Sequence, residues 1–371
     1  MSAFAGSSEQ LSEEEKARYD RQIRVWGAEA QTRIQNAKVL MIGLNGVHPE
    51  VVKNIVLAGV GVVLLDKRTV TISDLAYNYF LTSGDVGKEA AQASSARIQE
   101  LNSFAAVAVE ERDLKELDDD YFQQFSEVLV SGGVCCDMDT AMRINQICRK
   151  SKDSIPFFWS SIGGNEGVFV SDFGPNFVFT KKVAVSKNRE TADLTDRGGK
   201  RSSSSSSPNG NDNEAAEEVE QREQVEVAFP SLEDVVRKPW SQIKVRKMPV
   251  PVALAKCLLM ASLTEVDASG KACVANEDRQ TFVAAKLREN GVADGFLMPE
   301  GADAEEICKR LALLPRYPSV TICSTLGSYL AQEVIKGISR SSAPNFNASV
   351  CPGDGQGIVV YPVNDSMSSP V

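Results

Sequence analysis

Four apolar residues in a row, Val39-Leu40-Met41-Ile42, run directly into Gly43-Leu44-Asn45-Gly46. A short unbroken apolar run is the pattern of a strand buried on both faces, and the glycines behind it mark a tight turn. Pro49 and Glu50 suit the first turn of a helix, which carries Val51, Val52, Ile55, Val56 and Leu57 and stops near Gly59. Val62-Val63-Leu64-Leu65-Asp66 predicts a second strand ending in an acid. Residues 87–101 predict a helix, Val128-Leu129-Val130 a third buried strand, and residues 139–150 a further helix. Strand and helix alternating in this rhythm predict a parallel sheet with crossover helices. Such a sheet takes ligands at the carboxyl ends of its strands.

The flanks are read in the same way. Residues 1–12 are expected to be disordered. Ser12 followed by Glu13, Glu14 and Glu15 is a helix start, and the helix runs in pieces to Arg33. Residues 155–182, rich in aromatics and valines, suit later strands of the same sheet. Residues 186–224 hold six serines from Ser202 to Ser207 and four acids between Glu214 and Glu220, too little apolar matter to offset chain entropy. They are expected to form a disordered linker; Gly199-Lys200-Arg201 fits either a solvated tract or part of an import or phosphorylation segment. Val225 to Pro230 resumes a strand, and residues 250–314 read as helical, with Leu254, Leu258, Leu259, Ile307, Leu311 and Leu313 as core candidates. Residues 320–337 predict a long amphipathic helix capped by Gly337, and residues 357–362 a terminal strand. The chain thus divides into 1–185, a linker 186–224, a strand plus small helical insert over 225–314, and 315–371.

Composition narrows the function. Lys and Arg number 40 against 50 Asp and Glu, a formal net charge of -10, so there is no wholesale basic face and no nucleic-acid ligand is expected. The single histidine, His48, removes His-rich metal centres and most Ser–His or Cys–His schemes unless His48 itself serves. None of the eight cysteines forms a C-x-x-C pair, so no structural zinc is expected; they read as buried, reduced thiols. The N-terminus lacks the apolar run of a signal peptide, and no stretch approaches the roughly 20 apolar residues of a spanning helix, so no membrane is expected.

Gly43-Leu44-Asn45-Gly46-Val47-His48 lies between strand and helix, with Asp66 twenty residues past Gly46 at the end of the next strand. This is the nucleotide-binding position of a Rossmann-like unit. An intact loop needs glycine for the tight turn, for close approach of backbone to phosphate and for helix–strand packing. Here the second and third roles fall to Asn45 and His48, which add bulk. Gly43, Asn45, Gly46, His48 and Asp66 therefore form a degenerate loop: either a site that once held nucleotide or a plain strand–helix turn. His48 reads as a helix-start residue rather than a base.

Tyr19-Asp20-Arg21-Gln22-Ile23-Arg24-Val25-Trp26-Gly27 precedes the first strand. This Y-x-R-Q-I-R-x-W-G string, then strand and G-x-x-G, resembles the adenylation domain of ubiquitin-like activating enzymes, the ThiF/MoeB adenylation family. Asp66, Val70, Leu75, Tyr79 and Phe80 follow that family's D-x-D-x-I-x-x-S-N-L-N-R-Q-F-L outline. Val86-Gly87-Lys88 opens the next helix, and Ala331-Gln332-Glu333-Val334-Ile335-Lys336 matches the late A-Q-E-V-x-K helix. The resemblance covers about residues 12–182 and 315–362.

The departures are as informative. The family's Asn and Arg that act on ATP and carboxylate are here Asp74 and Tyr77; its second Asp after the strand is Arg68; its phosphate-binding Lys is Ala90. Its magnesium-binding Asp falls at Cys136 or Asp137. Losing the cations that stabilise a polyphosphate transition state implies a retired active site. The whole pattern is similar to the non-catalytic subunits of heterodimeric SUMO-activating enzymes.

That resemblance implies an α/β, Rossmann-like ThiF/MoeB fold, interrupted by the linker and the helical insert. It implies ATP and magnesium bound mainly by a catalytic partner subunit, none held tightly by this chain, and no zinc in it. The partners it implies are that catalytic subunit, SUMO, and transiently the SUMO-conjugating enzyme. It implies Arg21 as the residue that reaches the partner's ATP in trans, and a nuclear location with the cytoplasm as second compartment. None of Cys257, Cys308 and Cys323 is expected to carry a thioester. The competing readings are a self-sufficient adenylating homodimer, a non-catalytic subunit for a different modifier, a Rossmann-type oxidoreductase using Asp66 for a ribose, and a pure scaffold.

Overall fold

The computed structural model describes residues 11–44, 46–132, 135–163, 166–184, 220–237, 319–344, 348–351 and 359–361. Two helices open the chain, α1 (Glu13–Trp26) and α2 (Ala28–Asn36), divided by Gly27 at φ +90°. The predicted capping box is formed: the Glu15 amide donates to Ser12 Oγ at 3.2 Å and the Ser12 amide to Glu15 Oε2 at 2.8 Å. This meets two of the donors that a helix start leaves unpaired.

The alternation follows. It consists of β1 (Lys38–Ile42), α3 (His48–Ala58), β2 (Gly61–Leu65), α4 (Ala90–Gln99), β3 (Val107–Val109), α5 (Asp119–Phe122), β4 (Glu127–Ser131), α6 (Met138–Lys150) and β5 (Phe157–Gly163). Then come β6 (Glu166–Asp172), β7 (Phe177–Ala184), β8 (Glu220–Val227), α7 (Leu232–Arg237), α8 (Val320–Ser339), β9 (Ala348–Cys351) and β10 (Val359–Tyr361). Eight strands form one sheet in the order β10-β9-β6-β5-β4-β1-β2-β3. The five from β5 to β3 are parallel and the other three antiparallel.

Side-chain alternation assigns the two faces. From β1, Val39 and Met41 join a core with α2, α3, α4 and α8, including Ile34, Val52, Ile55, Ile98, Leu326, Leu330 and Val334. Leu40 and Ile42 point the other way, into a core with α5, α6 and α7, including Phe122, Ile144, Trp159 and Leu232. Lys38 of β1 is only partly buried, while these four apolar residues are fully so. Each such side chain contributes roughly 1.5–3 kcal/mol of transfer free energy.

Four features differ from the sequence expectation. First, β3 has no strong apolar run: Val107-Ala108-Val109 is a half-buried strand that, among the described residues, pairs with β2 alone, so its hydropathy signal is weak. Second, β7 lies outside the main sheet and pairs antiparallel with β8, from Phe177 opposite Val227 to Ala184 opposite Glu220. That strand begins at Glu220, inside the stretch read as linker, because its polar residues pair in a two-stranded ribbon. Third, Gly337 does not cap α8. The helix continues to Ser339 and ends at Arg340, φ +51°, where the Arg33 guanidinium donates to the Ser339 carbonyl. Gly337 is instead a packing position: a Cβ there would collide with the Glu127 carboxylate. Fourth, β9 joins β6 and β10 where a single terminal strand was expected. Of the disorder expected over residues 1–12 and 186–224, residues 1–10 and 186–219 lie outside the described residues, as do the helices expected over 250–314. No helix among the described residues is long and apolar enough to cross a membrane.

Candidate functional site

Strand order reverses between β1 and β4, so the crevice beyond their carboxyl ends is where a doubly wound sheet binds its ligand. Gly43 leaves β1 at φ +84°, and its amide donates to the Leu65 carbonyl at 2.8 Å. A Cβ on Gly43 would stand 2.5 Å from Cys135 Sγ and 3.0 Å from Ser131 Cβ. The first glycine is thus required by packing against the end of β4, and Cys135 covers the turn. Gly46, φ +57°, abuts Ile162 of β5 in the same way. Asn45 lies outside the described residues.

His48 begins α3 and is fully buried, as a helix-start residue. Its Nδ1 lies 2.7 Å from the Gly43 carbonyl oxygen, which assigns the proton to Nδ1 and closes the turn on itself. Nε2 has no partner. Burial brings the imidazole pKa down to about 4. A neutral imidazole spent on its own loop is no base at ordinary pH.

Asp66 is 3% exposed, and every acceptor position on it is used. Oδ2 takes the Leu44 amide at 2.7 Å and Arg68 Nη2 at 2.8 Å; Oδ1 takes the Arg68 amide at 3.0 Å and Arg68 Nε at 3.1 Å. Arg68 Nη1 then reaches Asp74 Oδ1 at 3.2 Å. Asp74 also accepts from the Tyr77 hydroxyl at 2.6 Å and from the Thr71 amide and hydroxyl at 2.7 and 2.6 Å. Burial works against the Asp74 charge, but these donors and Arg68 hold its carboxyl below the usual range. Burial raises the Tyr77 hydroxyl, and its bond to Asp74 raises it further, so it stays a protonated donor. The Cys135 thiol beside them is pushed up to about 12, by burial first and then by Asp66.

The remaining positions of the resemblance fall around this network. Ala90 starts α4, buried, with its amide donating to the Arg68 carbonyl at 2.9 Å. Asp137 caps α6 by accepting from the Thr140 amide at 2.8 Å. Cys136 and Cys323 are buried, and burial raises both thiols; Cys257 and Cys308 lie outside the described residues. Among the described residues no group of three or more His, Cys, Asp or Glu could hold a metal ion. The crevice does not fit a nucleotide: Asp66 is saturated by the chain's own donors, Cys135 covers the Gly43 turn, and Ala90, at the position the resemblance gives to a phosphate-binding lysine, supplies no cation.

Arg21 is elsewhere, on α1, exposed and with no hydrogen bond or ion pair among the described residues. Its helix is firmly anchored. Tyr19 is buried and its hydroxyl accepts from Asn102 Nδ2 at 2.8 Å; Trp26 Nε1 donates to Gln31 Oε1 at 3.0 Å, and Gln31 Nε2 to the Ala58 carbonyl at 3.0 Å. Asp20 and Arg24 pair at 2.9 Å. Within the Y-x-R-Q-I-R-x-W string, Tyr19 and Trp26 fasten the helix while Arg21 projects outward. Arg68, present in the sequence only as a departure from an outline, is the main occupant of the crevice. The signal was a cation two residues behind the strand-ending acid, with a second acid at Asp74.

An open α/β sheet with a crevice at its switch point defines the doubly wound class. The chain belongs to the ThiF family, whose family model matches residues 19–355. Among curated proteins it is similar to SUMO-activating enzyme subunit 1 of Homo sapiens, 31% identical over 362 residues, covering 94% of this chain and 95% of that protein. The Bos taurus protein of the same name is 30% identical over 362 residues with the same coverage. SUMO-activating enzyme subunit 1A of Arabidopsis thaliana is 29% identical over 368 residues, covering 97% and 99%.

Proposed function

We propose that this chain is the non-catalytic subunit of a SUMO-activating enzyme, pairing with a catalytic subunit and completing that partner's ATP site with Arg21. One observation carries the reading: the chain's own crevice is filled by its own side chains, while the arginine of its α1 string stands exposed and unengaged among the described residues on an anchored helix. A guanidinium keeps its charge at any working pH and grips phosphate oxygens in a fork. Supplied across an interface it acts as an arginine finger. In the reaction it would assist, the modifier's terminal carboxylate attacks the α-phosphate of ATP, giving an acyl-adenylate and releasing pyrophosphate. On this reading ATP and magnesium belong to the partner's site, as do any zinc and the thioester cysteine. SUMO is the substrate, the conjugating enzyme a transient partner, and the nucleus, with the cytoplasm second, the location.

The test is ATP–pyrophosphate exchange with SUMO present, for the purified chain alone and mixed with the candidate catalytic subunit. Exchange in the mixture only is the expected result. Exchange by the chain alone would overturn the reading, since it would mean that the filled crevice still works.

A further inference from the structure

The crevice is not merely stripped of its nucleotide contacts; it is held shut. In a doubly wound sheet the acid ending the second strand takes the ribose hydroxyls. A carboxylate offers about four acceptor positions. On Asp66 all four are taken, three of them by Arg68 through Nε, Nη2 and its amide, the fourth by Leu44. The guanidinium therefore stands where a ribose would stand. It cannot swing away freely: Nη1 is held by Asp74, and Asp74 is held by the Tyr77 hydroxyl and by Thr71. The ion pair is largely shielded, with the side chain of Arg68 20% and that of Asp66 1% exposed.

We infer that Arg68 is an internal occupant that excludes adenine nucleosides from this chain, and that without it Asp66 is free to bind a ribose. A ligand that requires a closed site to open binds more weakly in proportion to the open fraction. Removing Arg68 removes that handicap. The phosphate contacts stay absent, because Ala90 supplies no cation and His48 is spent on Gly43. The gain is therefore for the nucleoside end of the ligand. The inference rests on the reading that this crevice is unused, and it concerns the chain alone rather than the pair of subunits.

The experiment is equilibrium dialysis of the full chain, without partner, against radiolabelled adenosine and adenosine monophosphate, using wild type, Arg68→Ala and Arg68→Lys. Wild type is expected to retain neither probe at millimolar concentration. Arg68→Ala is expected to bind adenosine at least about tenfold more tightly, with the monophosphate no better. Arg68→Lys keeps a cation between the two carboxylates and serves where Arg68→Ala fails to fold; it is expected to show a smaller gain. Folding is read from circular dichroism. Adenosine binding by wild type as tight as by the variants would overturn the inference. So would a folded variant that binds no adenosine, which would make the pair purely structural. Neither result touches the role of Arg21, which is read in the subunit mixture.

Discussion

Arg68 lies 2.8 Å from the carboxylate of Asp66, only two residues back along the same chain, and nearly out of water. The acid that ends the second strand is thus answered locally. Asp66→Ala strips the Leu44 amide of its acceptor and leaves Arg68 with Asp74 alone, and is expected to lower unfolding stability by about 1–3 kcal/mol in urea. A loss below about 1 kcal/mol would show that water already screens the pair.

Arg21→Ala is expected to leave the heterodimer intact by gel filtration and to reduce pyrophosphate exchange by about 10³-fold or more, the range of an arginine finger. Arg21→Lys keeps the charge without the fork and is expected to fall in between. An unchanged exchange rate in Arg21→Ala would remove this residue from the site.

His48 is the chain's single imidazole, so its proton resonance can be followed without ambiguity. Its pKa in the folded chain is about 4, against about 6.5 when unfolded. Between those values the unfolded chain binds more protons, so this group's contribution to stability is complete above about pH 6.5 and is lost as pH falls toward 4. The loss is up to about 3 kcal/mol. A resonance titrating near 6.5 in the folded chain would contradict the burial described for it.

Glu127 acts in the opposite direction. Its carboxylate begins β4, fully buried, with no hydrogen-bond partner on either oxygen among the described residues. Burial raises its pKa well above the usual range, although Arg340 pulls the other way. The folded chain keeps this proton after the unfolded chain has released it, near pH 4.3. Stability from Glu127 is therefore greatest below that pH and declines as pH rises, by up to about 1.4 kcal/mol per pH unit. Glu127→Gln is expected to abolish the decline, and thermal melts of wild type and variant across pH 4 to 8 separate this slope from that of His48.

Gly337→Ala places a methyl against the Glu127 carboxylate and 3.0 Å from the Phe173 ring. Better helix propensity favours the substitution by about 1 kcal/mol. Overpacking at a buried contact opposes it by roughly 1–3 kcal/mol. Net destabilisation is expected, and Glu127→Ala in the same chain is expected to relieve it. Additive losses in the double-mutant cycle would mean the two sites do not touch.

The central strands were legible because Val39 to Ile42 and Val62 to Leu65 are buried on both faces and read as unbroken apolar runs. The edge strand at Val107 was not, because half-exposed residues carry no such signature. Nor was the ribbon formed by β7 and β8, whose polar residues gain backbone pairing rather than burial. At the site, His48 could be read as a helix-start residue, but what filled the crevice could not. That Asp66 and Asp74 both turn toward Arg68 depends on the loop from Arg68 to Tyr77 folding back, a tertiary fact without a periodicity to betray it.

The packing of α8 against α3 also sets a timetable. Leu326, Leu330 and Val334 cover the same face of the sheet as Val52 and Ile55, yet they lie near the far end of the chain. During synthesis at about 5–20 residues per second, the first strands wait on the order of ten seconds to a minute for the helix that shields them. Throughout that interval a nascent chain carries an apolar face open to whatever else is in the cell. Truncation before residue 320 removes the helix that covers this face and leaves Val52 and Ile55 without it.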